Sequence, residues 1–209
     1  MNRIITTIYI ARHGESEHNT SNQLGLVPEA QLTKKGRDQA KELAEKLGTT
    51  HFDLVAASDF KRAQQTAQFI AHPRKMTVLS LKGMRERSYG KLNGMTTNQI
   101  FDHSYESYSI YNKLANKDKF TYKIVPDMES AQEALSRAVG ILKGLTSKYS
   151  GKSIIIVTHN TIIRTLLIYL DFADHHEIDS DCIANTAYLK VNFDGSKFNL
   201  METSGIYKK

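Results

Sequence analysis

Four short apolar runs, each stopping abruptly in a polar loop, constrain this chain more than any other feature. Residues 4–10 are rich in isoleucine, punctuated by Thr6 and Thr7, and give way to Arg12-His13-Gly14-Glu15-Ser16-Glu17-His18-Asn19. Residues 53–57 and 77–81 form similar runs. Residues 153–157 are apolar from Ile154 onwards, as a central parallel strand buried on both faces requires. Helical spacing fills the intervals. Thr33 is placed to cap a helix carrying Ala40, Leu43, Ala44 and Leu47 at i, i+3, i+4, i+7. Ser58 and Asp59 offer N-cap oxygens ahead of Ala63, Thr66, Ala67 and Ile70. Leu135, Ala138, Ile141, Leu142 and Leu145 mark a long amphipathic helix starting near Ser130, and another is expected over residues 161–170.

Strands alternating with helices predict an α/β fold: a three-layer sandwich with a mostly parallel central sheet, helices on both faces and right-handed crossovers. Asp194-Gly195, between residues 188–193 and 196–200, signals a two-residue hairpin, so the sheet should end in antiparallel strands. A length of 209 residues suits a single domain, 1–209. Residues 95–126 fit the alternation least, being rich in tyrosine (Tyr105, Tyr108, Tyr111, Tyr122) and lysine. They are expected to form a small helical cap insertion. The alternative is that the tyrosines are one face of an ordinary helix packed on the sheet.

With 40% hydrophobic and 24% charged residues the chain has the make-up of a folded globule. No apolar run approaches the roughly 20 residues of a membrane span, and Arg164 interrupts residues 162–170. The N-terminal stretch carries hydroxyls where a signal peptide needs apolar residues, so a cytoplasmic location is expected. The single cysteine, Cys182, excludes an internal disulfide and any multi-cysteine metal centre, and reads as a half-buried small apolar residue. The net charge of +6 is compatible with nucleic acid or with small anionic substrates. Its even spread, without a recognition motif, argues against nucleic acid. Asp174-His175-His176 imitates a metal-ligating DHH motif, but it follows a helix rather than an apolar strand and reads as a solvated loop; no metal is expected.

The chemistry lies just beyond the runs. Arg12 and His13 follow the first, Arg62 opens the helix after the second, Glu86 follows the third and His159 the fourth. Ligands of open parallel sheets bind outside the carboxyl ends of the strands, so these residues should converge. Two arginines, two histidines, a glutamate and helix N-termini near residues 58–61 and 160–164 suit a phosphate. The chain has no P-loop, no carboxylate cluster for paired magnesium ions and no C-x5-R thiolate motif. A histidine remains as nucleophile; it must be neutral at the attacking nitrogen, which nearby arginines favour. Glu86 is the candidate acid for the leaving oxygen.

At these residues the sequence resembles the histidine phosphatase superfamily, the phosphoglycerate-mutase-like enzymes, whose RHGE[ST]xxN signature is matched by residues 12–19. Four more blocks agree in order: Leu32-Thr33 through Gly36 to Gln39-Ala40, Ser58-Asp59 through Arg62-Ala63 to Thr66-Ala67, Arg85-Glu86-Arg87 through Tyr89-Gly90 to Gly94, and Val157-Thr158-His159 through Arg164. The resemblance implies that His13 becomes a phosphohistidine and that Arg12, Asn19, Arg62 and His159 hold the phosphoryl group. It also implies that Glu86 protonates the leaving group and later activates water, with neither metal nor nucleotide. His159-Asn160-Thr161 departs from the common His-Gly-Gly or His-Gly-Asn, which bears on backbone donation near Asn160, counted here with the phosphate-binding residues. Asp127-Met128 and residues 29–33 depart in loop sequence only. His18 matches no family position and reads as structural.

The implied activity is metal-independent hydrolysis of a phosphomonoester, the partner being a small phosphorylated metabolite and the assembly a monomer or homodimer. The alternative is a phosphoglycerate mutase using the same residues and a 2,3-bisphosphoglycerate primer. Relatives of that type generally carry a longer insertion than the stretch from Gly90 to Glu129. A phosphate-binding module without activity is the third reading, and retention of all five catalytic groups argues against it.

Overall fold

The computed structural model describes residues 4–209. Met1 to Arg3, part of the stretch considered above for a signal peptide, lie outside the described residues. The chain runs β1 (Thr6–Arg12), α1 (Glu17–Thr20), α2 (Lys34–Leu47), β2 (Leu54–Ala57), α3 (Lys61–Ala71) and β3 (Val78–Ser80). It continues through α4 (Thr97–His103), α5 (Tyr105–Lys113), α6 (Asn116–Lys119), α7 (Ala131–Lys148), β4 (Ser153–Thr158), α8 (Asn160–Tyr169), β5 (Ile183–Phe193) and β6 (Phe198–Ile206). The sheet order is β3-β2-β4-β1-β5-β6, with β1 to β4 mutually parallel and β5 and β6 antiparallel. The mostly parallel α/β sheet expected from the sequence is therefore present.

Alternation along the central strands divides the core in two. Ile8, Ile10, Ile154 and Ile156 face α7 and α8, meeting Leu135, Leu142, Ile162 and Leu166. Tyr9, Ala11, Ile155 and Val157 face α2 and α3, meeting Leu43, Leu47, Ala67 and Ile70. Ile154, Ile155 and Ile156 are wholly buried, each contributing about 1.5–3 kcal/mol relative to exposure. The helix caps follow the sequence. Thr33 Oγ1 accepts from Gly36 N, and Ser130 with Glu133 forms a reciprocal capping box. Residues 95–126 carry helices and a cluster of their own, in which Leu92, Ile100, Ile124 and Met128 pack with Tyr108 and Tyr111. Among the described residues, no helix is long and apolar enough to cross a membrane.

Four details differ from the sequence reading. β1 starts two residues late because Ile4 and Ile5 have no facing strand and stay 66% and 41% exposed, whereas Thr7 to Arg12 pair with Ser153 to Thr158. The hairpin loop has four residues rather than two: Phe193 pairs with Phe198, and Asp194 Oδ1 accepts from the amides of Ser196 and Lys197. Phe60, not Ser58 or Asp59, is the N-cap of α3, because the Asp59 carboxylate is taken by Arg85 at 2.5 and 2.7 Å. Cys182 is wholly buried rather than half-buried.

Candidate active site

Sheet register brings the two histidines together. Arg12 at the end of β1 lies opposite Thr158 at the end of β4, and His13 N donates to the Thr158 carbonyl at 3.1 Å. The next residues on the two strands are therefore His13 and His159, whose ring centroids are 5.2 Å apart. Gly14 then turns the chain against α2. A Cβ there would sit 2.3 Å from the Gly36 carbonyl oxygen, and a Cβ on Gly36 would sit 1.8 Å from that of Glu15. Neither position admits a side chain.

His13 is 3% exposed and held on both ring nitrogens. Nδ1 lies 2.6 Å from the Gly14 carbonyl, and Arg62 Nε donates to Nε2 at 3.1 Å. A carbonyl only accepts and a guanidinium only donates, so the ring proton is assigned to Nδ1 and a lone pair to Nε2. Burial, then the charges of Arg62 and Arg12, hold this imidazole well below its ordinary pKa, in agreement with the neutral tautomer.

Arg62 lies in the first turn of α3 with its guanidinium 5.1 Å above the Phe60 ring. Nη1 donates to the Val27 carbonyl at 2.6 Å, and Nη2 has no partner among the described residues. Burial lowers Arg62 to about 10, leaving it protonated near neutrality. Arg12 donates Nη1 to the Ile183 carbonyl at 2.5 Å, while its buried Nε is unpartnered. Burial lowers its pKa too, opposed by Glu86 and Asp181. His159, the N-cap of α8, is wholly buried with both ring nitrogens unpartnered, and burial and Arg62 keep it neutral. Each such polar atom costs about 1–3 kcal/mol when left without a hydrogen bond, and Arg62 Nη2, Arg12 Nε and the one N–H of neutral His159 are donors that an oxyanion would satisfy.

Glu86 approaches from the β3 side. Its Oε1 accepts from Arg87 N at 2.7 Å and its Oε2 from Thr161 N at 3.2 Å. One of the backbone donors expected to be free at the start of α8 is thus engaged by this carboxylate. Asn19 Oδ1 accepts from the amide and hydroxyl of Ser16, and Asn160 Nδ2 donates to the Ser180 carbonyl at 2.9 Å. Arg12, His13, Asn19, Arg62, Glu86 and Asn160 all line one cavity of about 870 Å³; His159, wholly buried, does not line it and instead packs against the His13 ring.

Three cavity residues stand out beyond those assigned a site role from the sequence. Asn185, on β5, donates Nδ2 to the His13 carbonyl at 3.1 Å and to Asn19 Oδ1 at 3.5 Å. No periodicity marks residues 183–187 as a strand, so nothing signalled this contact across the chain. His18 lines the cavity and is pushed down to about 4 by burial, Arg62 and Arg12. Its place beside Asn19 in the loop was the available signal. Tyr111 enters from the helical segment, where its residue type could not announce its direction. Among the described residues, no group of three or more His, Cys, Asp or Glu side chains is arranged to hold a metal ion.

Comparison with known proteins agrees with this geometry. Residues 8–204 match the family described as histidine phosphatase superfamily (branch 1). The uncharacterized phosphatase PhoE of Bacillus subtilis is 24% identical over 198 residues, spanning 95% of this chain and 94% of PhoE. A metal-independent phosphoserine phosphatase of Arabidopsis thaliana is 29% identical over 166 residues, 78% of this chain and 68% of that protein. Among solved structures, Bacillus stearothermophilus YhfR superposes with a TM-score of 0.83 at 22% identity, covering 96% of this chain and 97% of its own. Fold, site and family match together place this chain in branch 1 of the histidine phosphatase superfamily.

Proposed function

We propose that this chain hydrolyses a small phosphomonoester through a phosphohistidine on His13. The observation that carries the reading is the hydrogen bond from Arg62 Nε to His13 Nε2, which leaves a neutral nucleophilic nitrogen among unpartnered donors. In the first half-reaction the Nε2 lone pair attacks phosphorus and the bond to the leaving oxygen breaks. Arg12, Arg62, His159 and Asn19 surround the phosphoryl oxygens, where fixed donors stabilise the charge of the transition state. Glu86, as the carboxylic acid, gives its proton to the leaving oxygen. In the second half-reaction the Glu86 carboxylate takes a proton from water, the water oxygen attacks phosphorus, and the N–P bond breaks to release phosphate and neutral His13. The reaction as written uses neither metal nor nucleotide, and a cytoplasmic setting suits it.

Residues 95–126 are proposed to act as the cap, since Thr97 and Tyr111 reach the cavity wall. The short stretch from Gly90 to Glu129 favours hydrolysis over return of the phosphoryl group to a phosphoglycerate. Hydrolysis of p-nitrophenyl phosphate by wild type and His13→Ala, with and without EDTA, tests the reading. Activity in wild type that survives EDTA and is lost in the variant is expected; abolition by EDTA, or full turnover by His13→Ala, sinks it. Scoring 2-phosphoglycerate against free phosphate from primed 3-phosphoglycerate separates hydrolase from mutase.

A further inference from the structure

Behind the reacting cavity lies a second, smaller one of about 270 Å³. Arg87, Tyr111 and Arg164 line both, forming a shared partition. The far side is lined by Lys119 of α6, by His175 and His176 of the loop after α8, and by Asp179. Phe120, Ile168 and Ile178 supply apolar floor, and the edge of the His175 ring packs against Phe120 with centroids 4.8 Å apart. Within the DHH look-alike Asp174 and His176 are exposed, as the solvated-loop reading expects, and only His175 is half-buried, against Phe120.

Charge in this cavity is unbalanced. The Asp179 carboxylate is committed to Lys209 and accepts from Asp181 N. Arg87 spends its guanidinium on neutral carbonyls, that of Glu129 at 2.7 Å and that of Tyr122 at 3.5 Å. Lys119 Nζ lies 5.2 Å over the Tyr111 ring and has no ion pair among the described residues. Arg164 is half-buried and makes no hydrogen bond or ion pair among the described residues, and burial together with its charge lowers the His175 pKa. Three cations without a carboxylate thus surround one small space. Confining like charges beside an apolar floor is unfavourable until an anion joins them.

We infer that this cavity is a second oxyanion site, and that its occupant is the far acidic group, phosphate or carboxylate, of the same molecule whose phosphoryl group reaches His13. Arg87, Tyr111 and Arg164 belong to the walls of both cavities, so the two lie side by side and one elongated dianionic ligand reaching past these side chains spans them. Arg164 supplies a free planar fork, Lys119 a point charge, and His175 a neutral ring able to donate one N–H. The inference rests on the phosphomonoesterase reading for the seat of the first group. It narrows the substrate class to phosphomonoesters with a second acidic group at the far end.

Titration calorimetry with a short series of straight-chain α,ω-alkane bisphosphonates, against alkyl monophosphonates of equal length, tests it without turnover. At least one bisphosphonate is expected to bind wild type about tenfold or more tightly than its monophosphonate, the equivalent of one charge-assisted hydrogen bond. That advantage should fall to within about twofold in both Arg164→Gln and Lys119→Gln. No advantage at any length, or an advantage surviving both substitutions in folded protein, overturns the inference. Inorganic phosphate titrated onto protein saturated with monophosphonate separates the two sources of anion. A second bound equivalent without a bisphosphonate advantage assigns the cavity to a free ion and rejects the single-molecule occupant. Failure of p-nitrophenyl phosphate hydrolysis with the bisphosphonate advantage intact counts against the activity alone.

Discussion

Arg62 donates its Nε proton to His13 Nε2 at 3.1 Å, so the residue proposed to bind the phosphoryl group holds the lone pair of the proposed nucleophile. In the proposed reaction that bond is exchanged for one to a phosphoryl oxygen, and the unpartnered Nη2 provides a second. Lysine keeps the charge and loses the fork. Arg62→Lys is expected to fold and to lose about 10²–10³-fold in kcat, the scale of one displaced donor to a transition-state oxyanion. Near-wild-type kcat for p-nitrophenyl phosphate would remove Arg62 from the phosphoryl site.

Glu86 should matter in proportion to the basicity of the leaving group. p-Nitrophenolate leaves with little help, whereas an alkoxide needs a proton. Rapid-quench measurement on Glu86→Gln should show a burst of nitrophenol stoichiometric with enzyme, then slow turnover because water lacks its base. With an alkyl phosphate the burst itself should slow by about 10²–10⁴-fold. Equal slowing of both bursts contradicts the assignment.

His18 links the site to acid stability. Its folded pKa of about 4 lies below the ordinary 6.5, so protons bind the unfolded chain more readily. The stability it contributes is full above pH 6.5 and is lost as pH falls towards 4, amounting to about 3 kcal/mol. His13 and His159 act in the same direction, again from burial and the nearby arginines. Urea unfolding at pH 7 and pH 4.5 should show His18→Phe losing less stability than wild type. Identical losses would place the titrating group elsewhere.

Gly36 carries a steric prediction. Its missing Cβ leaves room for the Glu15 carbonyl, and that contact is backbone on backbone, without a flexible end to move. Gly36→Ala should displace the loop after His13, destabilising the protein by roughly 1–3 kcal/mol in urea and lowering kcat as His13 moves with it. Unchanged values of both would show that the loop gives way freely.

Asn185 is a positioning residue, acting on the backbone carbonyl of His13 from β5. Asn185→Ala should lower kcat about 10- to 100-fold, the scale of a misplacement near 1 Å, with little change in KM. A rise in KM alone would make it a substrate contact instead.

The catalytic strand ends were readable because strand and loop differ so sharply in chemistry. Ile8 to Ala11 and Ile154 to Val157 can only be core, so the polar residues after them had to gather at one edge. Register was not readable. That β4 sits beside β1, placing His159 against His13, follows from parallel pairing between segments separated by most of the chain. Asn185 was hidden because residues 183–187 alternate in no visible way, and Phe60 replaced Ser58 as cap through the competing demand of Arg85 on Asp59. His175 looked solvated because Phe120, which covers it, is distant in sequence.

The pairing of β1 with β4 has a kinetic meaning. Local opening in proteins starts at frayed ends and mobile loops, and central strands exchange their amide protons only through global unfolding. The amide of His13 is tied to Thr158 and that of Ser58 to Val157, so both are expected among the slowest to exchange. The proposed nucleophile is thus tied to the central pair of strands, whereas residues 95–126 pack in a cluster apart from that sheet.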